Sequence, residues 1–110
     1  MRRTFIELPA FSRLVRDGRI SDRALKALQN DIMVRGGAVI PGTGGLVKIR
    51  SAGSGRGKSG GVRAIYADYP AQGMTVLIAA YFKNMKVNLT EHEKWALRSL
   101  KMRLDGQIGV

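Results

Sequence analysis

The sequence predicts an α+β domain in which helices cover one face of a small, antiparallel-rich sheet, with elements in the order β-α-α-β-β-β-α. Three observations carry that prediction. Helical patterns occupy residues 12–35, alternating or β-branched segments separated by turn signals occupy 46–82, and a capped helical pattern runs from 90 to 104. Helices and strands are therefore segregated along the chain rather than interleaved, which disfavours a doubly wound parallel sheet. A length of 110 residues corresponds to a single domain, 1–110, large enough to hold a modest core unaided.

In chain order, Thr4, Ile6 and Leu8 alternate with Arg3, Phe5 and Glu7 and are closed by Pro9, the pattern of a short strand. Ser12 is a possible cap for a brief helix through Leu14 and Val15 that breaks at Gly18. Ser21 and Asp22 open a clearer helix, with Leu25, Leu28 and Ile32 on one stripe beside Ala24 and Ala27, ended by Gly36 and Gly37. Pro41 to Gly45 form a turn leading into a strand at 46–50, where Lys48 and Arg50 alternate with Val47 and Ile49. Residues 51–61 hold five Gly and three Ser in eleven positions, too permissive a backbone for regular structure. Strands at 62–69 and 74–82 follow, joined by a turn at 70–73, so that the three strands make an antiparallel meander. Thr90 and Glu93 then form a capping box, and Leu97, Leu100 and Leu104 share one stripe of the last helix.

The composition narrows the function classes. Nineteen Lys and Arg against eight Asp and Glu give a formal charge of +11 on a chain with an ordinary apolar share of 45%, so the charge sits on a folded surface. Such a surface points to a polyanion: nucleic acid first, a membrane surface second. Cys is absent, which removes disulfides, thiolate metal sites and Cys nucleophiles. Neither a membrane span nor a signal peptide is expected, and the expected location is the cytoplasm. Between Asp31 and Asp68 no acidic residue occurs, whereas Arg35, Lys48, Arg50, Arg56, Lys58 and Arg63 all fall there. Strand alternation puts Lys48 and Arg50 on one face, and a neighbouring strand brings Arg63 beside them. If Val47, Ile49, Tyr66, Val76 and Ile78 face the helices, the other face offers Lys48, Arg50, Arg63, Tyr81 and Lys83 to solvent as a phosphate-binding cleft. Solvated strand charges are common, yet like charges opposite each other destabilise a sheet and call for a reason.

Two phosphate-loop signatures in residues 52–60 are misleading. Ala52 to Ser59 fits a relaxed phosphate-loop pattern and Gly55 to Gly60 spells G-x-G-x-x-G, but both motifs require a helix next and a strand follows instead. Arg56 and Lys58 remain candidates for contacts to a nucleic-acid backbone. The single His92 stands between Glu91 and Glu93 in the first turn of a helix, a surface position, and no metal site is expected. Chemistry, if any, falls to Lys, Arg and Tyr.

Three spaced segments carry a resemblance: Gly42-Thr43-Gly44-Gly45-Leu46-Val47-Lys48-Ile49-Arg50, then Gly60-Gly61-Val62-Arg63-Ala64-Ile65-Tyr66, then Tyr81-Phe82-Lys83-Asn84 before Leu89-Thr90. Together they resemble the HigB-like branch of the RelE toxin superfamily of bacterial toxin–antitoxin modules, over nearly the whole chain. The resemblance implies a RelE-like fold, with a small sheet carrying two N-terminal helices on one side and a basic cleft on the other. It implies metal-independent cleavage of mRNA in the ribosomal decoding site, with no cofactor. Arg63 matches the strand arginine that contacts the scissile phosphate, Lys48 and Arg50 the basic pair before it, and Lys83 the basic residue ending the last strand. Tyr81 stands in the same motif. Many relatives carry a Tyr or His near the C-terminus, and residues 104–110 contain neither, which leaves that role to Tyr81, to the cations alone, or unfilled.

The implied chemistry is attack of a ribose 2′-oxygen on the adjacent phosphorus, giving a 2′,3′-cyclic phosphate and a free 5′-hydroxyl. Such a step needs a base, charge stabilisation and an acid. A lysine amine serves as base where nearby positive charge favours its neutral form, which makes Lys48 the candidate, with Arg63 stabilising the transition state and Lys83 supplying an acid or further charge. The implied partner is an antitoxin of helix-turn-helix type in a toxin–antitoxin hetero-oligomer. Trp95 and Met102, about 160° and 140° around the last helix from Leu97, form a second apolar spot suited to a partner or to burial under the N-terminal segment. The alternative reading is a non-catalytic RNA- or DNA-binding module gripping phosphates with the same face.

Overall fold

The computed structural model describes residues 2–51, 61–82 and 88–110. Its elements are β1 (Thr4–Glu7), α1 (Pro9–Arg16), α2 (Asp22–Val34), β2 (Ala38–Val39), β3 (Val47–Ser51), β4 (Val62–Tyr69), β5 (Met74–Phe82) and α3 (Glu91–Ile108). The strands form one sheet in the order β1-β5-β4-β3-β2. The expected meander is present as antiparallel β3, β4 and β5, extended by antiparallel β2 at one edge and by β1, parallel to β5, at the other. The α+β class holds, with the two-residue β2 and a 3₁₀ turn at Pro70–Gln72 as additions.

Helix α1 starts earlier than Ser12. Proline lacks the N–H that a first-turn residue has no use for, so Pro9 opens the helix from an extended Leu8. Ser12 lies inside the first turn, and its hydroxyl donates to Glu7 Oε1 at 2.8 Å. Ser21 caps α2 as expected, accepting from the Ala24 N–H at 3.1 Å. Phe11 of α1 and Ala24, Leu28 and Ile32 of α2 pack with Ile49, Val62, Ala64, Tyr66 and Leu77 on one sheet face.

The second sheet face is not open as expected. Helix α3 covers much of it, laying Leu97, Leu100 and Leu104 against Ile65, Ala67, Tyr69, Val76 and Ile78. A bulge decides which β5 residues join this layer. Ile65 pairs with Ala79 but Tyr66 pairs with Leu77, leaving Ile78 as an extra residue. Ile78 and Ala79 consequently both face α3, as do Val76 and Tyr81, while Leu77, Ala80 and Phe82 face α1 and α2. The expectation that Val76 and Ile78 share a face with Val47, Ile49 and Tyr66 is corrected accordingly. The same bulge separates Leu77 from Ala79 and Tyr81.

Polar clamps fix the layers. Tyr69 donates its hydroxyl to Asp105 Oδ1 at 2.7 Å and Lys101 Nζ donates to the same oxygen at 2.8 Å, joining α3 to the end of β4. Burial, reinforced by the Asp105 hydrogen bond, pushes the Tyr69 phenol far above the ordinary tyrosine range, and the Lys101 hydrogen bond holds the Asp105 carboxyl below its ordinary value. From the neighbouring position on the same strand end, Asp68 Oδ1 accepts from Arg3 Nη1 at 2.8 Å, and Arg3 Nη1 also donates to the buried Thr75 hydroxyl at 2.9 Å. The turn before β3 is closed by buried Thr43, which donates to the Ile40 carbonyl at 2.7 Å and accepts from the Leu46 N–H at 3.2 Å.

Candidate active site

Strand register, rather than any loop, assembles the cations. Arg50 on β3 is directly opposite Arg63 on β4, and Arg63 is opposite Tyr81 on β5, so the three form one row across the sheet. Lys48 stands one step along the same face, opposite Ile65 and flanked by Ala38 of β2. The row crosses the sheet next to the end marked by Ser51, Val62 and Phe82, with Tyr81 at the margin of the α3 cluster. A cavity of about 160 Å³ opens there, lined by Ala38, Lys48, Ile49, Arg50, Arg63 and Tyr81.

A second cavity of about 320 Å³ shares Lys48 and Tyr81 with the first and extends toward α3, bounded by Ile40, Pro41, Ile65, Asn88, Leu89 and Lys94. The two form one cleft with no carboxylate among the described residues of its walls. Among the described residues, Lys48, Arg50 and Arg63 take part in no ion pair. Three cations held on rigid strands without counter-charge are electrostatically unsatisfied until an anion enters.

The end of β3 is braced from α2. Arg35 Nη2 donates to the Arg50 carbonyl at 2.7 Å and lies 3.6 Å from Asp31 Oδ2, which accepts the Ser51 hydroxyl at 2.8 Å. On the far side, the Gly37 N–H donates to the Tyr66 hydroxyl at 3.1 Å. A Cβ at Gly37 would lie 2.2 Å from the Lys48 carbonyl oxygen, so β2 reaches β3 only because this residue has no side chain. These braces fix the backbone beneath Lys48 and Arg50.

The structure thus joins Lys48, Arg50, Arg63 and Tyr81 in one cleft. Lys83, Arg56 and Lys58 lie outside the described residues. Val62–Tyr69 is a strand, so no helix follows the G-x-G-x-x-G segment. His92 is exposed and stacks on Trp95 at 6.3 Å between ring centres, away from the cleft. Among the described residues, no three or more His, Cys, Asp or Glu side chains converge as metal ligands would. Trp95 and Met102 are 63% and 66% exposed and share a shallow patch with Ala96, Ser99 and Arg103, so they are not buried under the N-terminal segment.

The cleft walls supplied by Ile40, Pro41, Asn88 and Lys94 escaped sequence reasoning. Gly42 turns the chain there at a φ of 82°, a backbone conformation that favours glycine.

A three-layer α+β domain whose cleft at one sheet end carries cations and, among the described residues, no carboxylate presents a surface electrostatically complementary to a polyanion. The family model described as the RelE toxin of the RelE/RelB toxin–antitoxin system matches residues 3–107, and the chain belongs to that family. It is the toxin of a toxin–antitoxin system, and an antitoxin is its implied partner. Toxins of this family are generally endoribonucleases. Among the described residues, no helix is long and apolar enough to cross a membrane.

Proposed function

We propose that this protein is a HigB-like, ribosome-dependent mRNA endoribonuclease that works without a metal and inhibits translation in the cytoplasm until a helix-turn-helix antitoxin neutralises it. The observation that carries the reading is the Arg50, Arg63, Tyr81 row with Lys48 beside it, in one cleft free of carboxylates among the described residues. Cleaving RNA with its own 2′-hydroxyl requires that the phosphate be gripped, the attacking oxygen deprotonated and the leaving oxygen protonated. In the proposed step the 2′-oxygen forms a bond to phosphorus as its proton passes to the Lys48 amine. The bond from phosphorus to the 5′-oxygen then breaks, and that oxygen takes a proton from Tyr81 or Lys83.

In this reading Arg63, central in the row, stabilises the phosphorane oxygens, since its planar fork matches phosphate geometry and stays charged. Arg50 adds charge from the adjacent strand. Arg56 and Lys58 extend the contact along the RNA backbone, and Trp95 with Met102 is the surface offered to the antitoxin.

The test is to express the chain with and without its antitoxin and map mRNA ends on ribosomes. New ends confined to translated messages, and suppressed by the antitoxin, support the reading. Retention of RNA without cleavage would establish the non-catalytic module instead.

A further inference from the structure

The edge strand β2 stops short of the end of β3. It pairs Ala38 with Lys48 and Val39 with Val47, and on that side of β3 no strand among the described residues pairs with Ile49, Arg50 or Ser51. Backbone groups alternate in direction along a strand, so the Arg50 carbonyl points the same way as that of Leu46, which accepts from the Ile40 N–H at 2.8 Å on the β2 side. What the Arg50 carbonyl meets there is a side chain, Arg35 Nη2 at 2.7 Å.

Arg35 is the C-cap of α2 and is itself held in place. Its guanidinium lies 3.6 Å from Asp31 Oδ2, and its backbone N–H and that of Gly36 donate to the Asp31 carbonyl at 2.9 and 3.0 Å. The same carboxylate oxygen accepts the hydroxyl of the fully buried Ser51 at 2.8 Å. One aspartate therefore ties the last turn of α2 to the last residue of β3, and Arg35 bridges to the residue before it. As stabilising contacts these are slight, because Arg35 is more than half exposed and an i,i+4 pair of that kind adds little. Water would satisfy an exposed carbonyl almost as well but would not tie it to a helix. Position matters at Arg50 because it stands opposite Arg63, and like charges facing each other across a ladder push the strands apart. Gripping one phosphate between them requires a fixed spacing.

We propose that Arg35, anchored by Asp31, is a positioning residue for Arg50: it stands in for the missing strand partner at the end of β3 and sets the spacing between Arg50 and Arg63. It touches neither RNA nor the reacting atoms, and its whole effect passes through Arg50. The proposal rests on the cleft acting on RNA.

A double-mutant cycle on the full chain tests this, read by single-turnover cutting of ribosome-bound mRNA and by binding of a 2′-O-methyl oligoribonucleotide that cannot be cut. Arg35→Ala is expected to slow cutting by about tenfold and to weaken binding less, with an unchanged thermal midpoint. Arg35→Lys, which keeps the charge and a donor, recovers part of the loss. In an Arg50→Ala background the backbone carbonyl remains but no guanidinium is left to place, and there Arg35→Ala costs less than about twofold. Equal losses with and without the Arg50 side chain, or no loss from Arg35→Ala, overturn the proposal. Where Arg35→Ala fails to fold, Asp31→Asn, which frees the guanidinium yet keeps an acceptor for Ser51, takes its place in the cycle. If the wild type leaves mRNA intact, the nuclease reading falls and the binding cycle alone decides: a loss of affinity that vanishes with the Arg50 side chain supports positioning, and an additive loss overturns it.

Discussion

Two residues with no catalytic group set much of the site's geometry. Gly37 lets β2 close on β3 under Lys48, so Gly37→Ala drives a methyl group into the Lys48 carbonyl. The expected cost is about 1–3 kcal/mol, seen as a lowered thermal midpoint, together with reduced activity as Lys48 shifts. Tyr69 holds α3 through Asp105, and burial keeps both it and Tyr66 protonated above the ordinary tyrosine range. A raised native pKa contributes stability that is fully present below the unfolded value, about 10, and is lost as pH rises through the native value. Chemical denaturation from about pH 8 upward should therefore show stability declining in the alkaline range, with a shallower decline in Tyr69→Phe. The site was legible at this scale where strand alternation governs, since Lys48, Arg50 and Arg63 were placed on one face from their spacing alone. Asn88 and Lys94 were not legible, because no local pattern shows which turn and which helix end will meet across the sheet.

At the level of elements, local signals marked several boundaries, though not the start of α1 at Pro9 or the end of α3 at Ile108. The capping box at Thr90 and Glu93, the Ser21 cap and the strands at 62–69 and 74–82 all depend on neighbours within a few residues. Two features that depend on longer range escaped. The β5 bulge sits in a run that is apolar on both faces, so there was no polar alternation to reveal where the register slips. Parallel pairing of β1 with β5 joins residues about seventy positions apart and leaves no short-range mark. Helix α3 shows what the exposed side of a correctly read helix offers: its leucines lock onto the sheet, while Trp95 and Met102 remain in solvent. An antitoxin segment that covers this face should move Trp95 emission to shorter wavelength and quench it less by iodide. An unchanged spectrum in a stoichiometric complex would place the antitoxin elsewhere.

For the whole molecule, a charge of +11 becomes specific because strand register brings Lys48, Arg50 and Arg63 of the acid-free stretch together on one face of the sheet. Single-stranded RNA binding should weaken linearly in log–log salt titrations, and replacing any one of Lys48, Arg50 or Arg63 by Ala should flatten the slope by about 0.7. The same uncovered charge makes an antitoxin partner physically reasonable, since an unoccupied cationic cleft binds any polyanion it meets. Catalysis by that cleft is the central claim, and it is tested most directly by end analysis of mRNA cut on purified ribosomes by wild type and Arg63→Ala. Wild type should leave 2′,3′-cyclic phosphate and 5′-hydroxyl ends, with the rate falling by about 10²-fold or more in the variant. Cleavage by Arg63→Ala at the wild-type rate, or no cleavage by the folded wild-type toxin, would contradict it.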